Sequence, residues 1–304
     1  SYDKMTLGGE WVLKRPEHSF LRQLRANVSV SQEFSQIKER KSVSLDRPTG
    51  IPNSTEQGEA DGLYLPYNYV ANVLVDGKPF YANAKVIGDF AFNWMKSSHT
   101  LKIGAEWNLS KNFGDGQVYD TTRPLNTSST TRPRSYNDIP ARQDVSVYAE
   151  EQMKLPLGKH ELFLSAGVRA NSLLGLSGDY AIQGKIYLDP RFNLKWQLPA
   201  LGTNEDWLID ISAGIGWLSK LPTTAQLYPD ARYVDVVQLN YYHNNADYRR
   251  INMMTYKWDN TNYDLEPARN QKWEVRLNVA HKGNQFSVTY FQERMNNAFR
   301  DISY

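Results

Sequence analysis

YLDPRFNLKWQLPALGTNEDWLIDISAGIGWLSK, residues 187 to 220, is the stretch from which the fold can be read. In its first half Phe192, Leu194, Trp196 and Leu198 alternate with Arg191, Asn193, Lys195 and Gln197. In its second half Trp207, Ile209, Ile211, Ala213, Ile215 and Trp217 share one face, and Asp210, Ser212, Gly214 and Gly216 share the other. A period of two belongs to a pleated strand, which sends successive side chains to opposite faces. Trp207 to Trp217 covers roughly 33 Å at about 3.3 Å per residue, or about 25 Å of height once the strand tilts by about 40°. That is the height of the apolar band of an outer-membrane barrel between its two aromatic girdles. A soluble β-sandwich could use the same stripe as its core, so the remaining strands and their connections have to separate the two.

The alternation repeats along the chain. A first hairpin is expected over about 4 to 14 and 21 to 40, with Leu7, Trp11 and Leu13, then Leu24, Ala26, Val28 and Val30, on one face. Residues 80 to 96 and the run Leu101, Ile103, Ala105, Trp107, Leu109 form the next pair around a turn at Ser97, Ser98 and His99. Strands at about 143 to 155 and 159 to 172 meet through Pro156, Leu157 and Gly158, and a last hairpin sets Trp273, Val275, Leu277 and Val279 beside Phe286, Val288 and Tyr290. Short links fall near 15, 97, 156, 200 and 282, and long ones at 41 to 79, 113 to 142, 172 to 186 and 219 to 269. Strict alternation of short and long suits an up-and-down membrane barrel and has no cause in a Greek key. Ten strands are expected, either closing on themselves or joined by others outside the segment, because an open edge in lipid leaves backbone groups unpaired. The long links read as polar, structureless loops, except that Asp76-Gly77 is expected to turn a small hairpin above the rim.

Composition agrees. No apolar run approaches about 18 residues, which excludes a membrane-spanning helix but not barrel strands. A net charge of +2 argues against nucleic acid as a partner. Nineteen tyrosines and eight tryptophans suit interfaces where one end of a ring is wet. There is no cysteine, so disulfides and thiolate metal sites are out. The chain opens at Ser1 with no signal peptide and reads as a segment of something longer. Asn27, Asn53, Asn108 and Asn126 begin chance Asn-x-Ser/Thr triplets.

Several runs resemble the TonB-dependent outer-membrane receptors of Bacteroidetes-type bacteria: Leu188-Asp189-Pro190-Arg191-Phe192-Asn193-Leu194, the run from Ser219 to Asp230 (SKLPTTAQLYPD), Leu265-Glu266-Pro267 leading to Trp273-Glu274-Val275, and Val288-Thr289-Tyr290-Phe291 with Asn297. The resemblance implies an all-β, antiparallel up-and-down transmembrane barrel of about twenty-two strands, with an N-terminal plug and energy supplied by TonB. Residues 1–304 would then be part of one barrel domain, with plug, coupling motif and remaining strands outside it. The partners implied are the outer-membrane bilayer, TonB, a scarce nutrient (siderophore, vitamin, glycan or peptide) and a surface lipoprotein.

No chemistry of bond making stands out, so no enzyme is expected. Glu150 and Glu151 are adjacent and point to opposite faces, as solvated or lumenal charges. The histidines at 18, 99, 160, 243 and 281 show no metal-ligand spacing. Gly-Lys at 77, 158 and 184 is turn chemistry, and no Ser/His/Asp set can be nominated. The expected ligand-binding residues lie in the aromatic stretch 219 to 269: Tyr228, Asp230, Tyr241, Tyr242, Arg249, Arg250 and Trp258, where rings offer stacking area and the arginines suit an anionic group. Equally, these tyrosines could pack the loop against itself. Arg169, Lys195, Asp210, Glu274 and Arg276 are expected to face the lumen, and no cofactor or metal is expected. A nutrient-uptake receptor is the leading reading; a passive porin or surface adhesin, and a soluble glycan-binding sandwich, are the alternatives.

Overall fold

The computed structural model describes residues 1–52, 54–128, 130–202 and 206–300; Asn53, the tip of the turn expected at 199 to 206, and the end of the chain at Tyr304 lie outside them. Ten strands build one wall: β1 (Tyr2–Lys14), β2 (Leu21–Ser44), β3 (Pro79–Trp94), β4 (Ser97–Asn112), β5 (Arg142–Leu157), β6 (His160–Leu174), β7 (Tyr187–Gln197), β8 (Trp207–Lys220), β9 (Ala268–His281) and β10 (Asn284–Asn296). Each pairs antiparallel with its neighbour in sequence, as a meander does. The outer edges of β1 and β10 have no partner among the described residues.

Register carries the two-faced pattern across the wall. Trp196, Ile211, Leu277 and Val288 stand in one row, and Lys195, Ser212, Arg276 and Thr289 in the next. Because the side-chain period is two, apolar and polar rows alternate, and a slip of one residue would exchange the faces. No second sheet or helix layer covers the apolar face among the described residues: Trp196 is 40% exposed and Ile211 37%. A sandwich core would bury such residues, so their exposure speaks against the soluble alternative.

The long connections are where expectation and structure part. Asp76-Gly77 does not turn. Asn68–Gly77 runs straight along the upper half of β2 and, after Lys78, continues as β3. Gly77 serves close approach instead, since a Cβ there would lie 2.6 Å from Ser35 Oγ. Asp76 is held by Gln36 Nε2 (3.0 Å), Lys78 Nζ (2.9 Å) and the Asp115 amide (3.2 Å), and these bonds, led by Lys78, pull its carboxyl from 3.8 down to about 2. A depressed carboxylate stabilises the fold fully above its unfolded pKa and loses that contribution as pH falls through the folded one. Asp76→Asn should therefore lower protection of the Asp115 amide, by on the order of 2 kcal/mol at most, with the difference from wild type fading between pH 4 and about 2. Hydrogen exchange corrected for intrinsic rate measures it; a pH-independent difference would count against the charge account.

The loops expected to be structureless also contain sheet. Gly116–Tyr119 adds to Asn68–Gly77, and the hairpin Arg232–Tyr241 with Arg250–Trp258 is extended by Gly58–Asp61. Polar residues hid these strands, whose partners come from distant loops rather than from a local alternation. Gly116 sits at φ +72, and a Cβ there would meet the Arg134 carbonyl oxygen at 2.1 Å, so only glycine fits. Two small clusters of buried apolar side chains lie above the long-loop rim. Leu173, Leu176, Tyr180, Ile182 and Leu227 form one; Ile51, Leu65, Tyr69 and Ala71 form the other. Tyr180 donates to the Leu227 carbonyl at 2.7 Å, and burial pushes its hydroxyl up to about 12.

Candidate functional site

Two adjoining cavities open among the long loops and share Arg134, Pro229 and Asp230. The first, about 510 Å³, adds Arg132, Tyr233, Lys257 and Asp259 to its lining. The second, about 560 Å³, has Tyr136, Tyr228, Tyr81 and Ser110 in its lining. Tyr81 and Ser110 are register partners on the polar face, one row above the Asn83–Asn108 pair, so this cavity meets the top of the polar wall.

Long-range charge pairs hold the cavity walls. Arg134 Nη1 donates to Asp230 Oδ1 (2.6 Å) and to the Tyr228 carbonyl oxygen (2.9 Å), tying loop 113–141 to the segment after the one-turn helix Thr224–Leu227. Arg132 Nη2 reaches both oxygens of Asp235 at 2.8 Å, and its guanidinium lies 4.7 Å from the centre of the Tyr233 ring. Thr255 Oγ1 donates to the same carboxylate at 2.8 Å. Lys257 has its ammonium 5.7 Å from the Tyr233 ring and 3.9 Å from Glu56. Asp259 is drawn below its ordinary range, first by the Thr261 hydroxyl and amide. Charged donors and ring faces at this spacing can bind a solute by stacking and ionic hydrogen bonds.

Of the expected ligand residues, Tyr228 and Asp230 line these cavities. Arg249 and Arg250 line a different cavity of about 370 Å³ with Tyr64 and Asp61. There Arg249 lies 4.6 Å from the Tyr242 ring, and both guanidinia donate to carbonyls of their own turn. Tyr241 is exposed on the outer hairpin, and Trp258 stands across from Arg232, whose guanidinium is 5.8 Å from its ring. The seven residues are thus not brought together. Arg132 and Arg134 were not singled out by the sequence, because their partners lie 103 and 96 residues away.

The polar face has its own network. Arg169 bonds Ser146 Oγ (2.7 Å), Asn171 Oδ1 (2.9 Å) and Glu106 Oε2 (3.3 Å), and buried Asp189 accepts from Asn171 and Ser219. Lys195 lies 3.7 Å from Asp210, Glu274 is 3.4 Å from Lys272, and Arg276 Nε donates to Thr289. These are the residues expected at the lumen, and they share that face by register.

On the apolar face, near the short turns, the structure joins Ser97 and His99 to Glu151, 52 residues further on. His99 Nε2 is 2.6 Å from Ser97 Oγ, and His99 Nδ1 is 2.7 Å from Glu151 Oε1. Glu151 thus stands on the apolar face rather than the lumenal one, with its side chain still 47% exposed. The spacing is that of a nucleophilic triad, but Ser97 donates its one proton to the Trp94 carbonyl (2.7 Å) and is buried. These contacts clamp the turn.

Against known proteins, the model of the TonB dependent receptor-like β-barrel family matches residues 8–303. Among solved structures, the chain is similar to the siderophore receptor PirA from Pseudomonas aeruginosa, at 14% identity and TM-score 0.45, covering 97% of this chain and 46% of that one. It is also similar to the copper transporter OprC, at 10% identity and TM-score 0.42, covering 98% and 46%. The chain spans about half the length of each. A comparison with curated proteins gave no match.

Proposed function

Because this chain belongs to the TonB-dependent receptor β-barrel family, a non-enzymatic transport family of the Gram-negative outer membrane, we propose that it is the wall and outer loops of an active-transport receptor. In this reading the apolar face meets lipid, the polar face lines the lumen, and the loop cavities capture a scarce nutrient before TonB-driven passage. The observation that carries it is the continuity of the second cavity with the polar wall at Tyr81 and Ser110, which gives a captured solute a wet surface to leave by. The outer edges of β1 and β10, which have no partner among the described residues, support the view that residues 1–304 are one part of a barrel domain. Lipid cannot satisfy those backbone groups, so further strands, and a plug in the lumen, would come from sequence outside. The Bacteroidetes-type branch and a surface lipoprotein partner belong to the same proposal and rest on the sequence runs alone.

The test is uptake by the full-length protein in cells with and without TonB, using panels of ferric siderophores, corrinoids, oligosaccharides and peptides. One class should accumulate only when TonB is present, and Tyr228→Ala with Arg134→Ala should weaken its binding by about tenfold or more, as expected for removing a stacking ring and an ionic donor. Uptake that persists unchanged without TonB would favour a passive pore.

A further inference from the structure

Four of the five histidines, His18, His99, His160 and His281, lie at the short-turn end of the wall, although the chain has five such turns and only one other rim. Three of them stand on the apolar face against an aromatic ring. His99 stacks on Phe92 at 4.7 Å, His160 accepts from Trp196 Nε1 at 3.2 Å, and His281 stacks on Trp207 at 4.0 Å. Beside each is a lysine at the turn: Lys96, Lys159 and Lys282, with Lys14 and Arg15 at the first turn. Asp206 answers the last pair, at 3.3 Å from His281 and 3.4 Å from Lys282, and Glu151 answers His99. Arg15, Lys96 and Lys159 have no carboxylate within ion-pair distance among the described residues, and all three are exposed.

We propose that this rim binds the phosphodiester headgroups of anionic phospholipids in the periplasmic leaflet, with Lys96 and Lys159 as the principal cations and the Trp94 and Trp196 rings seated at the acyl boundary below them. Aromatic rings on a lipid-facing stripe place themselves at headgroup depth, so a cation one or two residues beyond is level with phosphate. Trp94 is 64% exposed on that stripe, two residues before Lys96. An anionic lipid fits better than a zwitterionic one, because a headgroup ammonium would meet Lys96 and Lys159, neither of which has a carboxylate within ion-pair distance among the described residues. A free phosphate fits less well than a lipid, because none of the cavities described above is lined by Lys96 or Lys159. The inference needs only the membrane wall and is independent of which solute the loops take.

The full-length protein should be reconstituted in nanodiscs of phosphatidylethanolamine with about a quarter phosphatidylglycerol, and the retained lipid read by native mass spectrometry. Wild type should hold phosphatidylglycerol above its bulk share. Lys96→Gln with Lys159→Gln should cut that preference by about fivefold or more, since a cation near an anionic leaflet is worth roughly that much. Lys38→Gln with Lys41→Gln, at the other end of β2, should leave it unchanged. Should the glutamine pair fail to assemble, Lys96→Arg with Lys159→Arg must keep the preference and Lys159→Gln alone must reduce it. Undiminished phosphatidylglycerol in the glutamine pair, equal retention of phosphatidylethanolamine, or displacement of the lipid by inorganic phosphate would each overturn the proposal.

Discussion

Ile211→Arg or Ile215→Arg in the full-length barrel is expected to cost about 2 to 4 kcal/mol, because both lie near the middle of the apolar band where a guanidinium meets hydrocarbon. Ile211 stands between Trp196 and Leu277, and Ile215 between Phe192 and Trp273, so no carboxylate is at hand to pair with the new charge. Ser212→Arg, one residue away on the other face, should cost much less. Part of its cost will be repulsion, since register sets Ser212 between Lys195 and Arg276. Ser212→Glu is thus the sharper control, and it should be neutral or slightly stabilising. Reversible denaturant unfolding from lipid vesicles measures all four. Equal penalties at 211 and 212 would mean that the dry face is not in lipid.

The wall was legible because its signal is local: a strand with one dry and one wet face repeats every two residues, and Trp207 to Trp217 can be read without knowing any neighbour. The short turns were legible from the same alternation running out, although the one expected at Ser97, Ser98 and His99 falls at Met95 and Lys96, with Ser97 already in β4. Partners chosen at long range were not. Asp76-Gly77 looks like a turn dipeptide on its own, and it is pairing with the far half of β2, with Gln36, Lys78 and Asp115 on the Asp76 carboxylate, that holds it straight. The outer hairpin at 232–258 alternates too weakly to stand out among Asn, Asp and Arg. Its third strand, Gly58–Asp61, arrives from a loop nearly two hundred residues earlier. Tyr228 and Asp230 were picked for their chemistry and do line the shared cavities, whereas Arg249 and Arg250 were picked for the same chemistry and lie in another cavity. Residue type was readable there; convergence was not.

Asp235→Ala should open the loop assembly while leaving the wall intact. Arg132 keeps only 9% of its side chain exposed and Asp235 16%, so removing the carboxylate strands a largely buried guanidinium over the Tyr233 ring. A buried pair broken on one side typically costs about 3 to 5 kcal/mol, most of it the uncompensated charge rather than the lost attraction. The loss falls on one joint. Arg132 and the Thr130 carbonyl, which accepts from the Tyr233 amide at 2.9 Å, together bind loop 113–141 to the outer hairpin. Hydrogen exchange should therefore speed up at Tyr233 and through Arg232–Tyr241, with β4 and β5 unchanged. Replacing both partners, Arg132→Met with Asp235→Leu, should recover most of the protection, because no charge is then left buried. If the single and double replacements lose protection equally, the joint is held by packing around Tyr233 and not by charge. The first cavity includes both Arg132 and Tyr233 in its lining, so the single variant should also lose solute binding that the double variant, still lacking the arginine, regains only in part.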